Sequence, residues 1–97
     1  FNIEHTYADI DDPSSWEAKI KPNTKMIFVE TPSNPALDLI DLEWLGALAK
    51  RHQLILNVDN CFATPYLQNP IKWGAHIVTH SATKYIGGHS DVLGGAV

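Results

Sequence analysis

The run Met26-Ile27-Phe28-Val29 is apolar at every position. A strand with one wet face alternates between apolar and polar residues, and a strand covered on both faces does not. The run therefore predicts an internal strand of a parallel sheet, covered on both sides. A second run, Leu54-Ile55-Leu56-Asn57-Val58, ends in Asp59. Between the two, Asp41 stands where a helix cap belongs. Leu42, Leu45, Leu48 and Ala49 then recur at helical spacing, while Glu43, Lys50 and Arg51 face elsewhere. Lys50 and Arg51 close the helix, where cations favour the dipole. Residues 26–58 thus read as strand, loop, helix, strand, which is one βαβ unit of an α/β fold with a parallel-rich sheet.

The segments around this unit are shorter. Phe1, Ile3, Tyr7 and Ile10 are separated by polar residues, which suggests a strand and its exit over 1–11. Asp12 and Pro13 suit the cap and first position of a short helix, with Trp16 and Ile20 on one face. After the first buried run, Glu30-Thr31-Pro32-Ser33-Asn34-Pro35 holds two prolines within four residues, so it is a loop at the carboxyl end of a strand. After Asp59 another loop leads to a short helical piece around 66–73, broken by Pro70 and ended by Gly74. A third strand over 76–80, centred on Ile77-Val78, delivers Ser81, Thr83 and Lys84, and Gly87-Gly88 follow to allow a tight turn.

A lysine just past an apolar strand has two readings. One is a surface lysine that starts a loop. The other is an amine held in a dry pocket, where loss of water frees its lone pair to attack a carbonyl. The polar residues at the other strand ends favour the second. Asn34, Asp59, and Ser81 with Thr83 and Lys84 each follow a buried run, and open parallel sheets bind ligands outside the carboxyl ends of their strands. If the three strands are neighbours, an amide, a carboxylate, two hydroxyls and an amine share one crevice. That set meets the needs of pyridoxal 5′-phosphate: a lysine for the aldehyde, a carboxylate for the pyridine nitrogen, hydroxyls for the phosphate and an amide for the ring oxygen. Taken singly, Asp59 could be a loop cap, Asn34 turn chemistry, and the hydroxyls local backbone partners.

Other classes fit less well. Seven basic residues against eleven acidic ones, a net charge of −4, leave no basic surface for nucleic acid. No run reaches membrane-spanning length. Cys61 is the single cysteine, which rules out an internal disulfide and suits a reducing cytoplasm. His76, His80, His89, Cys61 and Asp91 form no paired His helix and no CxxC motif, so no metal site is expected. His80 is expected to wall the pocket or to be a satisfied core histidine. Arg51 is the only arginine and sits at a helix end, a poor place to grip a substrate carboxylate. The 97 residues begin without a start signal and stop as a new apolar run begins, and they read as a segment of a larger fold.

The strings ETPSNP at 30–35, VDNCFATP at 58–65, LQNP at 67–70 and HSATKYIGGHSDVLGG at 80–95 resemble the Cys/Met-metabolism (trans-sulfuration) family of pyridoxal-phosphate enzymes. That family includes cystathionine γ-synthase, the cystathionine lyases, methionine γ-lyase and the O-acylhomoserine sulfhydrylases. The resemblance implies an aspartate-aminotransferase-like fold (fold type I), with residues 1–97 as part of the large pyridoxal-phosphate-binding domain. It implies that Lys84 forms the Schiff base and later moves protons. By the same matching, Asp59 pairs with the pyridinium nitrogen, Ser81 and Thr83 hold the phosphate, and Asn34 lies near the ring hydroxyl oxygen. The family's ring-stacking tyrosine, glycine-rich phosphate turn and carboxylate-binding arginine fall outside these residues. Relatives share active sites between subunits, so a cytoplasmic homotetramer acting on a small amino-acid substrate is expected. Cys61 stands where many relatives have threonine and sulfhydrylases also have cysteine, which tilts the expectation toward γ-replacement on an O-acylhomoserine. Elimination by a cystathionine or methionine γ-lyase is the alternative, and a truncated scaffold without activity is the non-enzymatic one.

Overall fold

The computed structural model describes residues 1–97. Its centre is a four-stranded sheet in the order β1 (Met26–Glu30), β2 (Ile55–Asp59), β3 (Ile77–Ser81) and β4 (Gly95–Ala96). The first three strands are parallel, and β4 runs antiparallel to β3. Register places Glu30 beside Asp59 and Asp59 beside Thr79, so the first three strands end in nearly the same plane. The three strands are the neighbours that a shared crevice requires.

Helix α2 (Leu42–Arg51) crosses from β1 to β2. Asp41 caps it by accepting from the Trp44 N–H at 3.0 Å, and Lys50 and Arg51 close it. Its apolar stripe packs Leu45, Leu48 and Ala49 against Ile27, Val29, Leu56 and Val58. Leu45, Leu48 and Leu56 retain no exposed surface. Each such leucine is worth about 1.5–3 kcal/mol of burial, which makes this interface the anchor of the fold. Helix α1 (Pro13–Ala18) starts at Asp12, whose side chain accepts from the Ser14 N–H at 3.0 Å, as the Asp-Pro pair predicts. Trp16 and Ile20 pack onto the edge of the core. A short helix α3 (Thr64–Leu67) and a 3₁₀ turn (Pro70–Trp73) lead into β3, and Gly74 ends the turn in the left-handed region at φ 93°.

Two expectations are corrected. The apolar run of β1 is covered on one face only. Ile27 and Val29 are buried against α2, while Met26 and Phe28 are 42% and 61% exposed. Side chains alternate across a strand, and within these residues only one side of the sheet carries a helix. Residues 1–11 form no strand. Phe1, Ile3 and Tyr7 stand exposed and bury no apolar face against the sheet.

Candidate active site

Alternation sorts the residues at the strand ends. Leu56, Val58, Val78 and His80 take the face of α2, and Glu30, Asp59, Thr79 and Ser81 take the other. Asp59 and Ser81 therefore lie on one face at the carboxyl ends of adjacent strands. The loop after β2 joins them. The Cys61 N–H donates to Asp59 Oδ1 at 3.0 Å, and the Ser81 N–H donates to Cys61 Sγ at 2.7 Å. Burial pushes the Cys61 thiol above its ordinary 9.0, and the neighbouring Asp59 carboxylate adds to this, against the Ser81 N–H, which lowers it. Cys61 is thus a neutral thiol wedged between two of the expected site residues.

Lys84 lies in a wide helical turn, Ala82–Ile86, that follows β3 directly. Its own φ and ψ of −91° and −122° break the turn at that residue. Gly87 allows the chain to fold back, because a Cβ there would stand 2.7 Å from the Ala82 carbonyl oxygen. An open recess of ≈ 730 Å³ surrounds Lys84, lined in part by Phe62, Thr83, Tyr85 and Asp91. Phe62 and Tyr85 meet edge to face at its wall, with ring centroids 6.4 Å apart. Lys84 is exposed within these residues. Asn34, Asp59 and Ser81 do not line this recess. Asp59 and Ser81 stand at the ends of β2 and β3, and Asn34 lies on the exposed turn after β1.

The remaining candidates differ in how free they are. The Ser81 side chain has no protein hydrogen-bond partner, and neither has the amide of the exposed Asn34. The turn carrying Asn34 is closed by its neighbours, with Ser33 Oγ donating to Asp38 Oδ2 at 2.9 Å and the Asp38 N–H returning to Ser33 Oγ at 3.0 Å. Thr83 is more committed. Its hydroxyl donates to the Gly94 carbonyl at 3.2 Å and accepts from the Gly94 N–H at 3.0 Å, tying the Lys84 turn to the approach of β4. His80 is on the α2 face, away from Asp59, and its Nδ1 is buried without a partner, so it neither walls this site nor is a satisfied core residue. No three His, Cys, Asp or Glu side chains converge as metal ligands would.

Sequence reasoning missed the residues that hold the strand ends together. Asn60, 1% exposed, donates from Nδ2 to the Gln68 carbonyl at 3.0 Å. Gln68 Nε2 donates to Asn60 Oδ1 and to the Thr31 carbonyl, each at 2.8 Å. The pair falls in the strings VDNCFATP and LQNP, neither of which gives these two residues a role by itself.

The donor set suits one group in particular. An amine, a carboxylate, an uncommitted hydroxyl and an uncommitted amide at the ends of neighbouring parallel strands match the polar edges of pyridoxal 5′-phosphate. The model of the Cys/Met metabolism PLP-dependent enzymes matches residues 1–97 in full. The chain belongs to this family. The family's cofactor is pyridoxal 5′-phosphate, and its fold is the type I α/β architecture that the parallel sheet represents. The chain is 52% identical over 96 residues to cystathionine beta-lyase MetC of Staphylococcus haemolyticus, covering 99% of this chain and 25% of that protein. It is 50% identical over 97 residues to O-succinylhomoserine sulfhydrylase of Pseudomonas aeruginosa, covering 100% of this chain and 24% of that one. Among solved structures, cystathionine gamma-lyase from Lactobacillus plantarum complexed with L-serine superposes with a TM-score of 0.90 at 49% identity, over 93% of this chain and 24% of that one. The chain thus spans about a quarter of the length of the relatives it matches.

Proposed function

We propose that this chain carries the cofactor-binding centre of a pyridoxal-phosphate enzyme of carbon–sulfur amino-acid metabolism, acting by γ-replacement on an O-acylhomoserine. The observation that carries the proposal is the meeting of Asp59 and Ser81 on one sheet face with Lys84 in the turn that follows at once. Bound pyridoxal phosphate supplies an electron sink for the charge left at the substrate α-carbon. Lys84 Nζ would hold the aldehyde, and as a free amine it would be the base for the substrate α-proton. Asp59 keeps the pyridine nitrogen protonated, with Oδ1 fixed by the Cys61 N–H. The Ser81 hydroxyl would donate to the phosphate. Thr83 assists there from a hydroxyl already anchored on Gly94, so it contributes as a rigid support more than as a free donor. The Asn34 amide would donate to the ring oxygen. The exposure of Lys84 supports a site completed by further protein, and we place this centre in a homotetramer with shared active sites.

The second reading is elimination, and the similarity to a cystathionine beta-lyase favours it to the same degree as the similarity to a sulfhydrylase favours replacement. The two differ in the second reactant that the site admits, a thiol or water. The test is a substrate panel on the full-length protein. O-succinylhomoserine with cysteine or sulfide should give a thioether or thiol product, and cystathionine alone should give little oxoacid. Rapid oxoacid release from cystathionine without turnover of the acylhomoserine would transfer the assignment to the lyases. Asp59→Ala should lower either activity by orders of magnitude while the fold survives. Near-normal turnover in that variant would remove Asp59 from the site.

A further inference from the structure

The exits of β1 and β2 are joined by very little backbone. The last ladder bond between them runs from the Thr31 N–H to the Asp59 carbonyl at 3.3 Å. Beyond it β1 turns away through Pro32, and Asn34 follows on an exposed turn. The only other hydrogen bond from that exit to the exit of β2 or the helix after it comes from Gln68, whose Nε2 reaches Thr31 O across 37 positions of sequence. The second hydrogen of the same nitrogen goes to Asn60 Oδ1. Asn60 is itself fixed three ways: Nδ2 to the Gln68 carbonyl, N–H to the Thr79 carbonyl at 2.9 Å, and burial to 1% exposure. Thr31 is equally held, since it is 1% exposed and its Oγ1 accepts from the Ile40 N–H at 3.1 Å.

The arrangement has an evident use. Asn60 follows Asp59, and Thr31 stands three residues before Asn34. One amide nitrogen, beside the Thr31–Asp59 ladder bond, therefore braces the strand end that carries the carboxylate against the start of the turn that carries the free amide. We propose that Gln68, acting with Asn60, is a positioning residue that holds the Asn34 turn in register with Asp59, so that both can meet the same ring. The proposal rests on the assignment of Asn34 and Asp59 to the cofactor given above. Gln68 touches neither cofactor nor substrate in this scheme and acts through its bonds to the Thr31 carbonyl and to Asn60.

A purely structural role and a positioning role give different results. Gln68→Met keeps the volume and removes both donated hydrogens, and Gln68→Glu keeps the shape and removes them as well. In the full-length protein loaded with pyridoxal phosphate, the visible absorption band is titrated with pH. A donor at the ring oxygen favours its negative form, so withdrawing the donor raises the midpoint. Either Gln68 variant should raise the midpoint by about one pH unit, a tenfold change in the proton equilibrium, and weaken pyridoxal-phosphate affinity measured by equilibrium dialysis. Asn34→Ala should raise the midpoint similarly. Adding Gln68→Met to Asn34→Ala should move it no further, because the two act through one contact. Gln68 variants that lose thermal stability but keep the wild-type midpoint and affinity, while Asn34→Ala shifts the midpoint, would overturn the positioning role alone. An unmoved midpoint in Asn34→Ala would overturn the assignment of Asn34 and the positioning role together.

Discussion

Gly46 lies in the middle of α2, where helix propensity alone favours alanine by about 1 kcal/mol. The structure reverses that sign. A Cβ at Gly46 would overlap the main-chain oxygen of Trp73 outright and stand 3.0 Å from its carbonyl carbon. The obstacle is backbone, in the 3₁₀ turn that feeds β3, so no rotamer change relieves it. The turn must withdraw, against the Gly74 N–H to Ile71 O and Ala75 N–H to Pro70 O bonds of 3.1 Å each. Forcing extra carbon into a packed site costs typically about 1–3 kcal/mol, and weakening the two bonds adds to that. Gly46→Ala should therefore lose about 1 kcal/mol or more after the propensity gain is counted. Ala47→Gly, one position away and exposed, is the control. It should lose about 1 kcal/mol through propensity with no packing term. Equilibrium urea unfolding of the apo-protein, followed by far-ultraviolet circular dichroism, reads both. Gly46→Ala at or above wild-type stability would refute the close approach of α2 to the turn and, with it, the placement of the segment that delivers Lys84.

Two further predictions concern titration. The Cys61 thiol, raised first by burial and next by Asp59, should give an alkylation rate with iodoacetamide that inflects above pH 9.0. Asp59→Asn should lower that inflection without abolishing the elevation, since burial remains, and a wild-type inflection below 9.0 would contradict the wedged position of the thiol. At the other end of the chain, Glu17 Oε1 meets His52 Nε2 at 2.7 Å, with Arg51 3.5 Å from Oε2. The His52 hydrogen bond, and then the Arg51 charge, hold the Glu17 carboxyl below its ordinary 4.5. A depressed carboxyl contributes stability above its unfolded value and loses it as pH falls through the folded one. The small stability difference between wild type and Glu17→Gln should therefore be present at neutral pH and vanish as pH falls below 4.5, when urea midpoints are compared. A difference that grows toward acid would refute the contact.

Much of this was readable in the residues. The caps Asp12 and Asp41, the stripe Leu45, Leu48 and Ala49, and the runs ending in Glu30 and Asp59 are local signals, and local physics writes them directly into elements. The string around Lys84 carried the family. What the sequence concealed is non-local. Nothing in Met26-Ile27-Phe28-Val29 says that only the Ile27 and Val29 face meets a helix within these residues. The alternating residues 1–11 read as a strand, but alternation alone does not dock a segment on a sheet, and these residues form none. Nor does the string around Lys84 say that its side chain is exposed within these residues. The amide bridge from Gln68 to Thr31 and Asn60 has no period and no motif of its own, since it is set by where three loops meet.

The claim on which the account turns is that Lys84, and no other amine of the chain, takes the cofactor. The full-length protein is loaded with pyridoxal 5′-phosphate, reduced with borohydride and mapped by peptide mass spectrometry. The account predicts one stable pyridoxyl adduct, on Lys84. An adduct on Lys72, Lys50 or any other lysine, with Lys84 unmodified, would contradict it.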